Sequence, residues 1–213
     1  MKNPEEIFAG RLSVMARMQA AHNDEVHPDW RSQGFEYYRA VWVECAELLD
    51  HFGWKWWKKQ DADIEQVKLE IVDIWHFGLS DLIRDDLVGT DTAHEMFQRA
   101  GIETDGDFRQ AVESLATRAL VDPKFHIASF IDVLNTLPMS LDELFEKYVG
   151  KNVLNRFRQS HGYKAGSYQK VWQGREDNVH LSELLGELNP LSDSFEEELL
   201  DDLEKRYPGK SSF

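Results

Sequence analysis

Cysteine is almost missing: Cys45 is the single one among 213 residues. That excludes an intrachain disulfide and makes a reducing, cytoplasmic compartment the natural expectation. Only 6 prolines and 13 glycines are present, so little interrupts regular structure. No apolar run reaches the roughly 18 residues that a membrane-spanning helix needs. The opening MKNPEEIFAG lacks the basic start and apolar stretch of a secretion signal. Positive charge is in short supply, with 24 Lys and Arg against 39 Asp and Glu and a formal net charge of −15. Such a surface repels a nucleic-acid backbone and argues against a polymer-binding protein. It leaves room for a small anion captured by a divalent metal and a local cluster of Lys and Arg.

Strand-like alternation is also scarce, and helical periodicity takes its place. Residues 7–22 form a first candidate helix. From Phe35 the apolar positions Tyr38, Trp42, Cys45, Leu49 and Phe52 follow in steps of three and four, a buried helical stripe that Gly53 should end. Asp63, with Gln66 in capping-box spacing, opens a third helix running to about Arg84. That helix is apolar nearly all round, as expected at the centre of a bundle or at a subunit interface. The stretch 89–107 is more polar and leads into helices at about 108–120 and 125–137. Ser140 with Glu143 opens another that ends near Gly162, and 162–178 reads as a loop. A last acidic helical region is broken at Pro190 and restarted by Ser194 and Glu197. The expectation is one all-α catalytic domain over 1–213, a helical bundle with a movable helical insertion at about 88–140.

Two acidic pairs stand out. Glu44 and Glu47 on the second helix, and Glu70 and Asp73 on the third, are each spaced i, i+3, so each pair shares one helical face. Packed antiparallel, the two helices would bring four oxygen donors together, a ligand set suited to Mg²⁺. Solvated acidic faces are the alternative. The apolar setting tells against it, since Asp73 sits inside IVDIWHF and Glu44 and Glu47 flank Cys45, and burying unpaired carboxylates costs several kcal/mol or more. His76, one turn after Asp73, is either a partner of these acids or a core histidine.

Residues 147–170 contain six Lys or Arg and no acid. Lys151, Asn155 and Arg158 fall on one helical face, suited to phosphate oxygens, with Val153, Leu154 and Phe157 on the other side. Tyr163 and Lys164 follow just past the helix end. A solvated basic face is the alternative. Between the acidic helices, Trp54, Trp56 and Trp57 either pack into the core or stack on a nucleobase, a contact worth roughly 1–3 kcal/mol. Gln19 and Asn23, i and i+4 on the first helix, offer donors and acceptors able to read a base edge.

ECAELLD followed by WKWWK, then EIVDIWHF, then GKNVLNRFRQSHGYKAGSY, with Gln19 and Asn23 ahead of them, resemble the dimeric, all-α dUTPase family. That family lies within the wider helical nucleoside-triphosphate pyrophosphohydrolases, which include phage enzymes accepting dCTP as well as dUTP. The resemblance spans most of 15–178 and is loose over 85–140. It implies two or three Mg²⁺ held by Glu44, Glu47, Glu70 and Asp73. It implies phosphate contacts from Lys151, Asn155, Arg158 and Lys164, and a sugar contact from Tyr163. Base contacts would come from Gln19, Asn23 and Trp57, with Phe77 lining the pocket. It further implies a homodimer and a middle segment that moves on ligand binding.

The expected reaction is water attack on the α-phosphorus of dUTP, yielding dUMP and pyrophosphate, with Glu44 as the general base and Glu47 as the alternative. Two rivals remain at this point. One is a pyrophosphohydrolase of dCTP/dUTP or broader specificity; the other is a helical interaction module whose acidic faces dock a basic partner.

Overall fold

The structure is a computed structural model describing residues 3–189, 192 and 194–208. The chain divides into two compact units, Met1–Phe145 and Glu146–Phe213. The division falls inside a helix and not at the ends of the middle segment, which lies wholly within the first unit.

In the first unit, α1 (Pro4–Val26) starts earlier than apolar spacing alone predicts. Asn3 and Glu6 form a reciprocal capping box, and Pro4 stands at the first helical position, where its missing N–H and fixed φ cost nothing. After a short 3₁₀ turn come α2 (Tyr37–Phe52) and α3 (Ile64–Arg84). Gly53, at φ 91, stops α2, and the Asp63 side chain accepts the Gln66 N–H to begin α3. The two helices are antiparallel. Asp63 N–H bonds His51 C=O at one end, while at the other the Arg84 guanidinium lies over the Tyr37 ring. As its all-round apolar sequence predicts, α3 is central: Val67, Leu69, Ile71, Val72, Ile74, Trp75 and Leu79 are all fully buried.

The middle segment holds α4 (Thr90–Arg99), α5 (Phe108–Val121) and α6 (Ile127–Thr136). Its first helix was not expected from the polar sequence there; Thr92, Ala93 and Met96 are the residues it buries. These helices are fastened to the rest of the unit. Trp75 stacks on Phe130 at 5.3 Å between centroids. The Phe125 N–H donates to Asp81 Oδ2 at 2.8 Å, and Arg109 donates twice to Gly53 C=O, at 2.6 and 2.8 Å. Gly78 is required where α3 meets Phe125, since a Cβ there would lie 2.4 Å from the ring.

The helix α7 (Leu141–Ser160), opened by Ser140 as expected, runs across the division between the units. In the second unit it is followed by a short hairpin. Here β1 (Val171–Trp172) pairs antiparallel with β2 (Arg175–Glu176). Gln173 and Gly174, both at positive φ, make the two-residue turn that matches strand twist. The sequence reading takes this stretch as loop. Then come α8 (Asp177–Glu187) and α9 (Phe195–Arg206). Ser194 precedes α9 as expected, although its hydroxyl bonds Glu198 and not Glu197. Pro190, the expected break, lies outside the described residues. The core of this unit is aromatic: Tyr207 packs against Phe157, Tyr168 and Trp172. No helix among the described residues is long and apolar enough to cross a membrane.

Candidate active site

In the first unit, the antiparallel packing of α2 on α3 does what the paired acidic spacing predicts for three of the four carboxylates. Oxygens of Glu44, Glu47 and Glu70 all lie within 4.8 Å of one another. Glu70 is buried, Glu44 half-buried and Glu47 exposed. Asp73, half-buried one turn along α3, is not among the three that meet. At such a separation two ionised carboxylates repel by roughly 1 kcal/mol in water's dielectric and about 3 kcal/mol in one typical of a protein surface. A cluster of hard oxygen donors in that position fits a hard divalent cation, which converts the repulsion into ligation. His51 Nε2 lies 3.5 Å from Glu70 Oε1. Cys45, between the two glutamates in sequence, points into the core. Burial, reinforced by the Glu44 charge, pushes its thiol pKa up to about 12, so it stays protonated and is no thiolate ligand.

A second polar cluster in the same unit joins α1 to α3. His76 Nδ1 lies 2.6 Å from Gln19 Oε1. Gln19 Nε2 donates to Asn23 Oδ1 at 2.9 Å, and Asn23 Nδ2 donates to Ser80 Oγ at 3.0 Å. Ser80 Oγ in turn donates to His76 C=O at 2.8 Å. All four residues are buried. His76 therefore hydrogen-bonds Gln19, and Ser80 is a member that sequence reasoning missed. Its only signal is the i, i+4 spacing from His76, which no pattern distinguishes from an ordinary helical serine. Phe77 is half-buried beside this cluster in sequence. The tryptophans between α2 and α3 are largely at the surface, contrary to core packing: Trp56 is 89% exposed and Trp57 56%, in edge contact with each other.

In the second unit, Lys151 and Arg158 are not part of a solvated face. Lys151 is 1% exposed and donates to Asn178 Oδ1 at 2.9 Å. Arg158 grips Asp177 with Nε and a terminal nitrogen, each at 2.8 Å, and also bonds Asn155 Oδ1 and Asn178 Oδ1. The Tyr168 hydroxyl donates to Asp177 Oδ2 at 2.8 Å. Burial pushes the Asp177 carboxyl up, but the Arg158 guanidinium and the Tyr168 hydroxyl outweigh it and hold the pKa below the usual value. Tyr163 and Lys164 are exposed, and the Arg158 guanidinium lies 5.9 Å from the Tyr163 ring centroid. The acid that engages Arg158 thus comes from the start of α8. Neither the composition of 147–170 nor its spacing announces it.

An all-α protein, its strands confined to one short hairpin, carrying a glutamate cluster on an antiparallel helix pair is the class that fold and site define. The model of the dUTPase family matches residues 11–163, and the chain belongs to that family, in its all-α form. With membership goes dUTP hydrolysis in general, the activity of a dUTP diphosphatase, and the interaction-module reading is set aside. A comparison with curated proteins found no match.

Proposed function

We propose that the chain hydrolyses dUTP to dUMP and pyrophosphate by water attack on the α-phosphorus, and that it needs Mg²⁺ to do so. The observation that carries this is the meeting of Glu44, Glu47 and Glu70 within 4.8 Å, in a chain matched by the dUTPase family over 11–163. Those three, with Asp73, would hold two or three cations. A bound divalent cation supplies charge neutralisation on the phosphate oxygens and lowers the pKa of the attacking water. Glu44 takes the water's proton, with Glu47 as the alternative base.

Lys164, exposed just past the end of α7, and Asn155 contact the triphosphate directly. Lys151 and Arg158 supply positive charge, and Arg158 its planar donor set, to the phosphate oxygens. Tyr163 meets the sugar, Trp57 stacks on the base, Phe77 lines its pocket and Gln19 with Asn23 read its edge. On this reading residues 1–213 make one catalytic domain, the molecule is a homodimer, and it works in the cytoplasm.

Pyrophosphate release from dUTP, dCTP, UTP and dTTP, each with Mg²⁺ and with EDTA, tests the reading. Mg²⁺-dependent release from dUTP well above the other three is expected. Release that survives EDTA, or that is equal for dUTP and UTP, overturns it.

A further inference from the structure

We propose that Ser80 and His76 are positioning residues that lock the amides of Gln19 and Asn23 in one direction, and thereby set discrimination between uracil and cytosine. This rests on the proposed base-reading role of Gln19 and Asn23.

The direction follows from one unambiguous group. The backbone C=O of His76 can only accept, and Ser80 Oγ lies 2.8 Å from it, so the hydroxyl spends its single proton there. Ser80 Oγ can then only accept from Asn23, which must present Nδ2. Asn23 Oδ1 consequently faces Gln19, which must present Nε2. Gln19 Oε1 is left facing His76, so His76 carries a proton on Nδ1. Amide orientation and histidine tautomer are ordinarily assigned from a network; here a backbone carbonyl dictates every member in turn. Reversing either amide would set donor against donor and acceptor against acceptor among residues that are all at most 9% exposed, leaving several buried polar groups unsatisfied at once.

At position 4 a uracil offers an acceptor oxygen, as thymine does, and a cytosine offers a donor amine. An amide free to turn accommodates both. An amide held by the relay presents the same donor and acceptor sides to every substrate, so a base with the opposite pattern finds like facing like. Rejection of that kind is stronger than apolar shape alone supplies.

The test compares kcat and KM for dUTP and dCTP in the wild type, Ser80→Ala, Ser80→Thr, His76→Phe and His76→Asn, with far-UV circular dichroism on each. The expected result is a fall in the dUTP/dCTP ratio of kcat/KM on the order of tenfold in Ser80→Ala and His76→Phe, with the loss for dUTP falling on KM more than on kcat. Ser80→Thr and His76→Asn, which keep a hydroxyl and an N–H, should restore most of the ratio. Independently of any variant, ¹⁵N NMR of the ligand-free wild type should find the His76 proton on Nδ1. An unchanged ratio in folded Ser80→Ala and His76→Phe, or a His76 Nδ1 without its proton, overturns the proposal. Absence of pyrophosphate release from dUTP by the wild type is a different failure: it sinks the functional reading itself, and this inference with it.

Discussion

Arg158 and Asp177, on separate helices of the second unit, form a paired, two-bond fork with both nitrogen–oxygen distances at 2.8 Å. Breaking a buried pair of this kind by removing one partner costs about 3–5 kcal/mol, because a charge is left behind in a dry place. Arg158→Ala should therefore lower stability by about that much. Chemical denaturation followed by circular dichroism would measure it, and a loss below about 1 kcal/mol would show the pair to be of surface strength.

The same pair gives stability a pH dependence whose sign is fixed. The folded pKa of Asp177 is depressed, so its contribution is complete above the unfolded value of about 3.9 and is lost as pH falls through the lower folded value. Melting temperatures of the wild type and Asp177→Asn should differ most near neutrality and converge as the solution is acidified below about pH 4. A gap that stays constant to acid pH would contradict the assignment.

Gly78 is a helical glycine whose replacement should do harm. Alanine is the better helix former by about 1 kcal/mol, yet a Cβ at this position meets the Phe125 ring at 2.4 Å. Overpacking typically costs about 1–3 kcal/mol, so Gly78→Ala should be net destabilising. An unchanged or higher melting temperature would mean that Phe125 moves aside freely.

Glu44→Gln removes the proposed base while preserving shape. Loss of a general base costs on the order of 10²–10⁴ in rate, and loss of a cation ligand adds to it. Pyrophosphate release should fall at least a hundredfold at saturating Mg²⁺ with unchanged circular dichroism. If Glu44→Gln keeps near-normal turnover and Glu47→Gln does not, the proton goes to Glu47.

Trp57 is 56% exposed, so truncating it removes little packing. If it stacks on the base, Trp57→Ala should weaken dUTP binding by about 1–3 kcal/mol, read as a raised KM with melting temperature nearly unchanged. A large fall in melting temperature with KM intact would make it a structural residue.

The amino-acid sequence by itself determined the helical architecture, the bounds of α2, α3 and α7 to within a residue or two, and the facing of Glu44, Glu47 and Glu70. Each depends on spacing along one chain segment: a 3.6-residue period places i and i+3 on one face whatever surrounds them. It also determined the family, through motifs carried at fixed local spacing. It did not reveal α4, whose polar sequence buries only a few residues, nor the turn at Gln173 and Gly174. Only tertiary structure decided that Lys151 and Arg158 are engaged by Asn178 and Asp177, and that Gln19 and Asn23 are tied through Ser80 to His76. These are pairings between groups on different elements, up to 57 residues apart in the case of Asn23 and Ser80. Which donor meets which acceptor at such separations is settled when helices pack and water leaves, because only then does an unmatched polar group become costly.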